Sequence, residues 1–322
     1  MQRRQFMAFI PCGMAMATPC AFGQLWSARP IRMIISSGAG SGVDRAGRLI
    51  ADHMGKGLGQ AMVAENKAGG QNVIGALAAA RSPNDGYTIY LATAAALVTN
   101  RYLLKDLPYD PVHDFAPIGF VGYSPFALFV RSESPIANLQ DFIARAKAAP
   151  GKVSMANEGP KTFGGITSRL FSQGAGISVN MVAYPSASNG VQDVLGGHAD
   201  SILCDVATAA PLAREGKLRM LVVTTASRLP EWDAPAIAEI VPGFEMVGWF
   251  GLLAPRGTSS DIIKRLNTEL DAALSDKAVR DGMALVGFRT KGAGTPEEMA
   301  AFVQAQNERW AKISGEVGLL PE

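Results

Sequence analysis

The chain has 322 residues, 18% of them charged, with 30 lysines and arginines against 28 acids. Setting aside an N-terminal segment that holds Arg3 and Arg4 and no acid leaves the two signs equal at 28 each, a balance that argues against a nucleic-acid or polybasic membrane partner. Of three cysteines only Cys204 lies beyond that segment, so an intramolecular disulfide is excluded there, and stability must come from packing a core that ~300 residues can build.

The first residues read as a cleavable export signal. Arg3 and Arg4 precede an apolar stretch from Phe6 to Ala17, and the small residues Ala21 and Gly23 stand before a cut at Gln24. The order Arg3-Arg4-Gln5-Phe6-Met7 resembles a twin-arginine signal, and two arginines also suit the general secretory route. Pro11, Gly13 and Pro19 interrupt the stretch, which falls short of the ~20 apolar residues a spanning helix needs. The expected location is therefore the periplasm, with residues 1–23 removed.

From there on, apolar runs bounded by Gly, Pro, Asn and Asp alternate with helical patterns, the mark of an α/β protein with mostly parallel sheets. Strands are predicted at 31–35, 61–65, 88–92, 116–122, 127–130, 153–156, 179–183, 201–204, 220–224 and 247–254. Helices are predicted at 44–54, 72–80, 139–148, 163–171, 187–196, 259–274, 276–285 and 296–316. Two apolar, partly extended segments, 120–130 and 245–254, lack the polar composition of loops and read as crossings between two domains. One domain would then comprise 24–124 and 249–322, the other 125–248.

The first strand runs into a glycine-rich turn, Ser36-Ser37-Gly38-Ala39-Gly40-Ser41-Gly42-Val43-Asp44. A helix that starts there exposes unpaired N–H groups and the positive end of its dipole, which favour an anion. Ser36, Ser37 and Ser41 add hydroxyl donors, Gly38, Gly40 and Gly42 permit close backbone approach, and Asp44 can cap the first turn. The same stretch suits a plain strand-to-helix connection. It also comes near the dinucleotide fingerprint, with Glu65 after the second strand as the ribose acceptor, although Val43 stands where the third glycine belongs.

Chemistry for catalysis is missing from the pattern. His53, His113 and His198 are far apart and fall in no zinc-type cluster. Neither a nucleophile elbow, nor a phosphate-binding P-loop, nor a pair of catalytic carboxylates stands out. Cys204 reads as a buried small hydrophobe at a strand end, and the neighbouring Asp205 either faces a cleft or caps the next turn. Trp249 reads as packing at the crossing, with an aromatic wall against a solute as the alternative.

Motifs along the chain resemble the solute receptors of tripartite tricarboxylate transporters, the Bug-type periplasmic binding proteins. Ala28-Arg29-Pro30-Ile31-Arg32 is similar to their opening segment, and Val63-Ala64-Glu65-Asn66-Lys67-Ala68-Gly69-Gly70 with Asn72-Val73-Ile74-Gly75 to a second block. Pro83-Asn84-Asp85-Gly86-Tyr87-Thr88, Leu107-Pro108-Tyr109-Asp110-Pro111, Leu195-Gly196-Gly197-His198-Ala199-Asp200, Gly216-Lys217-Leu218-Arg219 and Trp249-Phe250-Gly251-Leu252-Leu253-Ala254-Pro255 follow in the family's order. The resemblance implies a monomer of two α/β domains, type II-like, closing on a small carboxylate solute that integral membrane subunits then receive. It implies no enzyme activity and no cofactor. Carried over residue by residue, the carboxylate grip comprises Ser36, Ser37, Gly38, Ala39, Gly40, Ser41 and Asp44 in the first turn and Asn157, Gly159, Thr162 and Phe163 in a second. Thr93, Tyr184, Ser186 and Asp205 complete the expected cleft. The chain departs from the pattern at Ser36-Ser37, at Gly40-Ser41-Gly42-Val43, at Gly165-Ile166 and at Tyr184-Pro185-Ser186.

Overall fold

The computed structural model describes residues 26, 28–316 and 318, so the expected signal and its cleavage point lie outside the described residues. The first third of the described chain forms β1 (Ile31–Ile35), α1 (Gly42–Leu58), β2 (Met62–Asn66), α2 (Val73–Ala80), β3 (Thr88–Thr93) and, after a π-type turn at Ala95–Thr99, α3 (Asn100–Leu103). A 17-residue strand β4 (Phe115–Arg131) leads into α4 (Leu139–Ala148), β5 (Ser154–Asn157), α5 (Phe163–Gly174), β6 (Asn180–Ala183), α6 (Ala187–Leu195), β7 (Ser201–Asp205), α7 (Val206–Arg214) and β8 (Leu218–Val223). The chain ends with β9 (Val247–Pro255), α8 (Ser260–Ser275), α9 (Lys277–Leu285) and α10 (Pro296–Glu316).

Local chemistry accounts for most helix starts. Ser41, Asn138, Thr162, Ser186, Asp205, Ser259 and Asp276 each accept a hydrogen bond from the backbone N–H three residues on, a cap that contributes about 1 kcal/mol. The end of α1 is set by Gly59, whose φ of 68° lets its N–H reach back to the carbonyls of Gly55 and Lys56.

The strands form two sheets that share β4. In the first, the order is β2-β1-β3-β9-β4, parallel among β1, β2 and β3 and antiparallel from β3 to β9 and from β9 to β4. In the second, the distal half of β4 lies between β8 and β7, antiparallel to both, and β5 and β6 continue parallel to β7. Phe115–Pro125 pair with β9, whereas Phe126 onward pairs with β7 and β8. The two strands predicted at 116–122 and 127–130 are thus one. The intervening Tyr123-Ser124-Pro125 stays extended because Pro125, which has no N–H to donate, falls where β4 leaves β9, and Phe126 resumes the ladder by donating to Thr224 Oγ1 (3.1 Å).

Both faces of each sheet are covered, so strand residues alternate between two cores. Met33 and Ile35 of β1 pack with Ile50 and Met54 of α1 and Leu266 and Leu270 of α8, while Ile34 faces α2 and α10. On the other sheet Ala127 and Phe129 face α6 and α7, and Leu128 and Val130 face α4 and α5. Complete burial of a side chain such as Ile50 or Met54 contributes roughly 1.5–3 kcal/mol. α7 was not foreseen: its alanines carry little periodicity, and Pro211 within it reads as a breaker.

Candidate functional site

A cleft of about 680 Å3, counted to its mouth, lies where the two sheets meet at β4 and β9. The first lobe lines it with Ser41, Gly42 and Val43 at the start of α1, Asn72, Thr93 to Ala95 after β3, Ser124, Gly248 to Phe250 of β9, and Phe288. The second lobe contributes Phe126, Phe163 at the start of α5, and Asp205 and Thr208 at the start of α7. Among the described residues no Lys, Arg or His lines it.

The glycine turn divides into residues that reach the cleft and residues that hold the turn. Ser36 is buried beneath it, its Oγ 2.6 Å from the Tyr90 hydroxyl and 3.4 Å from the Asn72 carbonyl oxygen. Ser37 Oγ accepts from the Ser41 hydroxyl (3.0 Å), and Gly38, Ala39 and Gly40 are exposed at the tip. The helix cap is Ser41, not Asp44: Ser41 Oγ accepts from Asp44 N–H at 3.2 Å. Asp44, two residues inside α1 from Gly42, points back and accepts from Gly40 N–H (2.8 Å), Asn66 Nδ2 (2.8 Å) and Arg48 Nε (3.0 Å). Burial works to raise its carboxyl, but the bonds from Arg48, Gly40 and Asn66 together outweigh burial and hold it below the usual aspartate range.

At the start of α1 two helical N–H groups remain for a ligand, and at the start of α5 the N–H of Phe163 is placed likewise. Gly42 and Val43 are the first residues of α1, too early for an intrahelical acceptor, and both line the cleft. The part of the turn that reaches the cleft is thus its last residues, Ser41, Gly42 and Val43, and not its glycine tip. Thr93, at the end of β3, lines the same wall and accepts from Ala96 N–H (3.3 Å).

In the second turn, buried Asn157 accepts from Gly159 N–H (2.8 Å), and Gly159 takes a φ of 114° that suits glycine. Gly159 O accepts from the Thr162 hydroxyl (2.8 Å), and Thr162 caps α5. Asn157, Gly159 and Thr162 thus shape the turn, and Phe163 presents its ring to the cleft, 4.9 Å from Phe126 and 6.0 Å from Trp310 between centroids. Tyr184 and Ser186 do not line it: the Tyr184 hydroxyl donates to Asp193 (2.8 Å), and Ser186 caps α6. Asp205 does both things open to it, capping α7 through Thr208 N–H (2.9 Å) and the Thr208 hydroxyl (2.8 Å) while facing the cleft. Glu65 is paired instead with Lys67 (2.7 Å) and Arg32 (3.3 Å) on β2, outside the cleft lining.

Glu158 escaped the sequence reading. Its Oε2 is buried without a hydrogen-bond partner, and Gly164 makes room for it, since a Cβ there would lie within 2.3 Å of that oxygen. Burial, and then the nearby Asp205 charge, push its carboxyl up to about 7. Burial likewise raises Asp205 against its Thr208 bonds, and burial with both carboxylates raises the Cys204 thiol, which is free and inert in the core. Phe126, Thr208, Phe250 and Phe288 were also missed, being ordinary apolar or polar residues of strands and loops until the lobes meet. The lobes touch at several points beside the cleft, including Ala207 against Gly42, Arg214 to the Leu285 carbonyl (2.8 Å) and the ion pair of Arg289 with Glu231.

Among the described residues no group of three or more His, Cys, Asp or Glu is placed to hold a metal ion, and no helix is long and apolar enough to cross a membrane. The model of the tripartite tricarboxylate transporter receptor family matches residues 46–319. Protein BugT of Bordetella pertussis is 33% identical over 296 residues, covering 91% of this chain and 90% of that protein. The solved structure of the Rhodopseudomonas palustris protein Rpa4515 with adipate superposes with a TM-score of 0.85 at 30% identity, covering 92% of this chain and all of the other. MatC of the same organism, with bound malate, gives 0.77 at 26% identity over 89% of this chain and 99% of its own. With the motifs in order, the two-lobed fold and the cleft at the head of α1, the chain belongs to the tripartite tricarboxylate transporter receptor family, the Bug-type solute-binding proteins.

Proposed function

We propose that this chain is exported to the periplasm, captures a small carboxylate solute in the cleft and delivers it to the integral membrane subunits of a tripartite tricarboxylate-type transporter, with no chemistry performed on the solute. The observation that carries the reading is the pair of unpartnered N–H groups of Gly42 and Val43 at the positive end of α1, set in a cleft whose lining includes the rings of Phe126, Phe163, Trp249, Phe250 and Phe288. Adipate and malate in two relatives support a carboxylate as the ligand class. The chain divides into a first domain of 24–124 and 249–322 and a second of 125–248, with β4 and β9 as the paired crossings about which the lobes open and close. Asp205 and Phe163 enter the site from the second domain, so only the closed form assembles it.

The test is to purify the protein from a periplasmic extract and identify by native mass spectrometry any small molecule that travels with it. A carboxylate at one-to-one ratio, released on unfolding, is the expected result. A nucleotide in its place, or retention of the protein in the cytoplasm, would sink the proposal.

A further inference from the structure

Resting on the carboxylate reading, a turn at the edge of the cleft points to a side chain that chooses among carboxylates. Between β2 and α2 the four residues Gly69, Gly70, Gln71 and Asn72 take φ values of 120°, 54°, 54° and 75°. Glycine accepts such a backbone freely, whereas other residues rarely adopt it. Gln71 and Asn72 are the only non-glycine residues with positive φ among the described residues. The turn is fixed by Asn100 Nδ2, which donates to the Gln71 carbonyl oxygen (2.8 Å), and by Val73 N–H, which donates to the Gly70 carbonyl oxygen. Left-handed residues held in this way concentrate at ligand clamps and other functional sites.

The two residues part company at the cleft. Gln71 is exposed and outside the lining, whereas Asn72 belongs to it. Asn72 also stands at the N-cap of α2, where an asparagine in the usual extended backbone bonds the helix's own N–H groups. Its left-handed backbone (φ 75°, ψ 0°) makes no such cap, and its side-chain amide has no hydrogen-bond partner among the described residues. Of the other polar side chains in the lining, the Ser41 hydroxyl donates to Ser37 and the Thr208 hydroxyl to Asp205, while Asn72 keeps both N–H donors and its acceptor unspent. We infer that Asn72 donates its side-chain amide to an oxygen of the bound carboxylate solute and that the left-handed turn serves to aim it. Asn72 is then a specificity-determining residue, separate from the backbone N–H groups of Gly42, Val43 and Phe163.

The experiment is calorimetric titration of wild type, Asn72→Gly, Asn72→Asp and Gln71→Gly, each freed of bound solute by unfolding and refolding, with adipate, malate, citrate and 3-phenylpropanoate. Glycine suits the left-handed backbone, so thermal unfolding should find both glycine variants as stable as wild type. The acid that wild type binds most tightly should lose about tenfold in affinity in Asn72→Gly, the scale of one hydrogen bond to a charged group, and the spread of affinity across the four acids should shrink with it. Asn72→Asp, which keeps the size and sets a carboxylate in place of the donors, should lose at least as much. Gln71→Gly should stay within twofold of wild type. Wild-type affinity in Asn72→Gly or Asn72→Asp, an equal loss in Gln71→Gly, or a marked loss of stability in Asn72→Gly would overturn the role of Asn72 and leave the carboxylate receptor standing. If wild type binds none of the four acids, both fall.

Discussion

Gly42 of α1 and Ala207 of α7 face one another so closely that a Cβ on Gly42 would lie 2.8 Å from Ala207 Cβ. The absence of a side chain at Gly42 is what lets the second lobe settle onto the N-terminus of α1, where the proposed carboxylate sits. Gly42→Ala should therefore weaken ligand binding by about tenfold, while the helix itself gains up to ~1 kcal/mol from the better helix former. Calorimetry reads the first effect and thermal unfolding the second. Small-angle scattering of the variant should show a larger radius of gyration in the presence of ligand. Unchanged affinity would mean that the lobes close without this contact.

Asp44 holds the turn through its bonds to Gly40, Arg48 and Asn66. Removing its carboxylate leaves Gly40 N–H, Asn66 and Arg48 without their acceptor, so Asp44→Ala should lower stability by roughly 1–3 kcal/mol at pH 7. Because its folded carboxyl is held below the unfolded value of 3.8, the contribution is present above that pH and is lost as pH falls through the folded pKa. Denaturation of wild type and variant at pH 7 and at low pH should show the gap closing in acid. A gap that persists would assign the loss to packing.

Ser36 lies beneath the turn, bonded to the Tyr90 hydroxyl, and not in the cleft. Ser36→Ala should cost about 1 kcal/mol of stability through the lost bond and change ligand affinity less than twofold. A large affinity loss without a stability loss would return Ser36 to the ligand's own contacts.

Glu158 makes the opposite pH prediction to Asp44. Its folded carboxyl sits near 7 against 4.5 when unfolded, so the folded state holds the extra proton between those values. Stability is full below about 4.5 and declines as pH rises toward 7, where a charge is forced into the buried site beside Asp205. Glu158→Gln cannot acquire that charge. Its melting temperature relative to wild type should rise between pH 5 and pH 8, and a difference that stays flat with pH would show that the carboxyl is solvated.

Much of the fold is written in short-range chemistry. The predicted bounds of α10 and α4 match the structure because an N-terminal polar residue and a steady apolar spacing mark them locally, and β1 is legible from four apolar residues, Ile31, Met33, Ile34 and Ile35, running into a glycine turn. The glycine turn announced an exposed helix N-terminus for the same reason. That β4 is a single strand serving two sheets was not legible, since Pro125 reads as a stop unless its place on the edge of the β9 pairing is known.

The site shows where local reasoning ends. Sequence by itself determined two sets of strand–helix units, family motifs in order and a glycine turn leading into an exposed helix start, because caps, periods and turn residues act over a few positions. Only the tertiary structure decided that Ser41 rather than Asp44 caps α1, that Ser36, Tyr184 and Ser186 bond to Tyr90, Asp193 and the start of α6, and that Phe126, Phe163, Asp205, Trp249 and Phe288 share the cleft with Gly42. Those residues are separated by tens to hundreds of positions, and their meeting depends on how two sheets cross at β4 and β9, a matter of packed volume and chain path that no local pattern records.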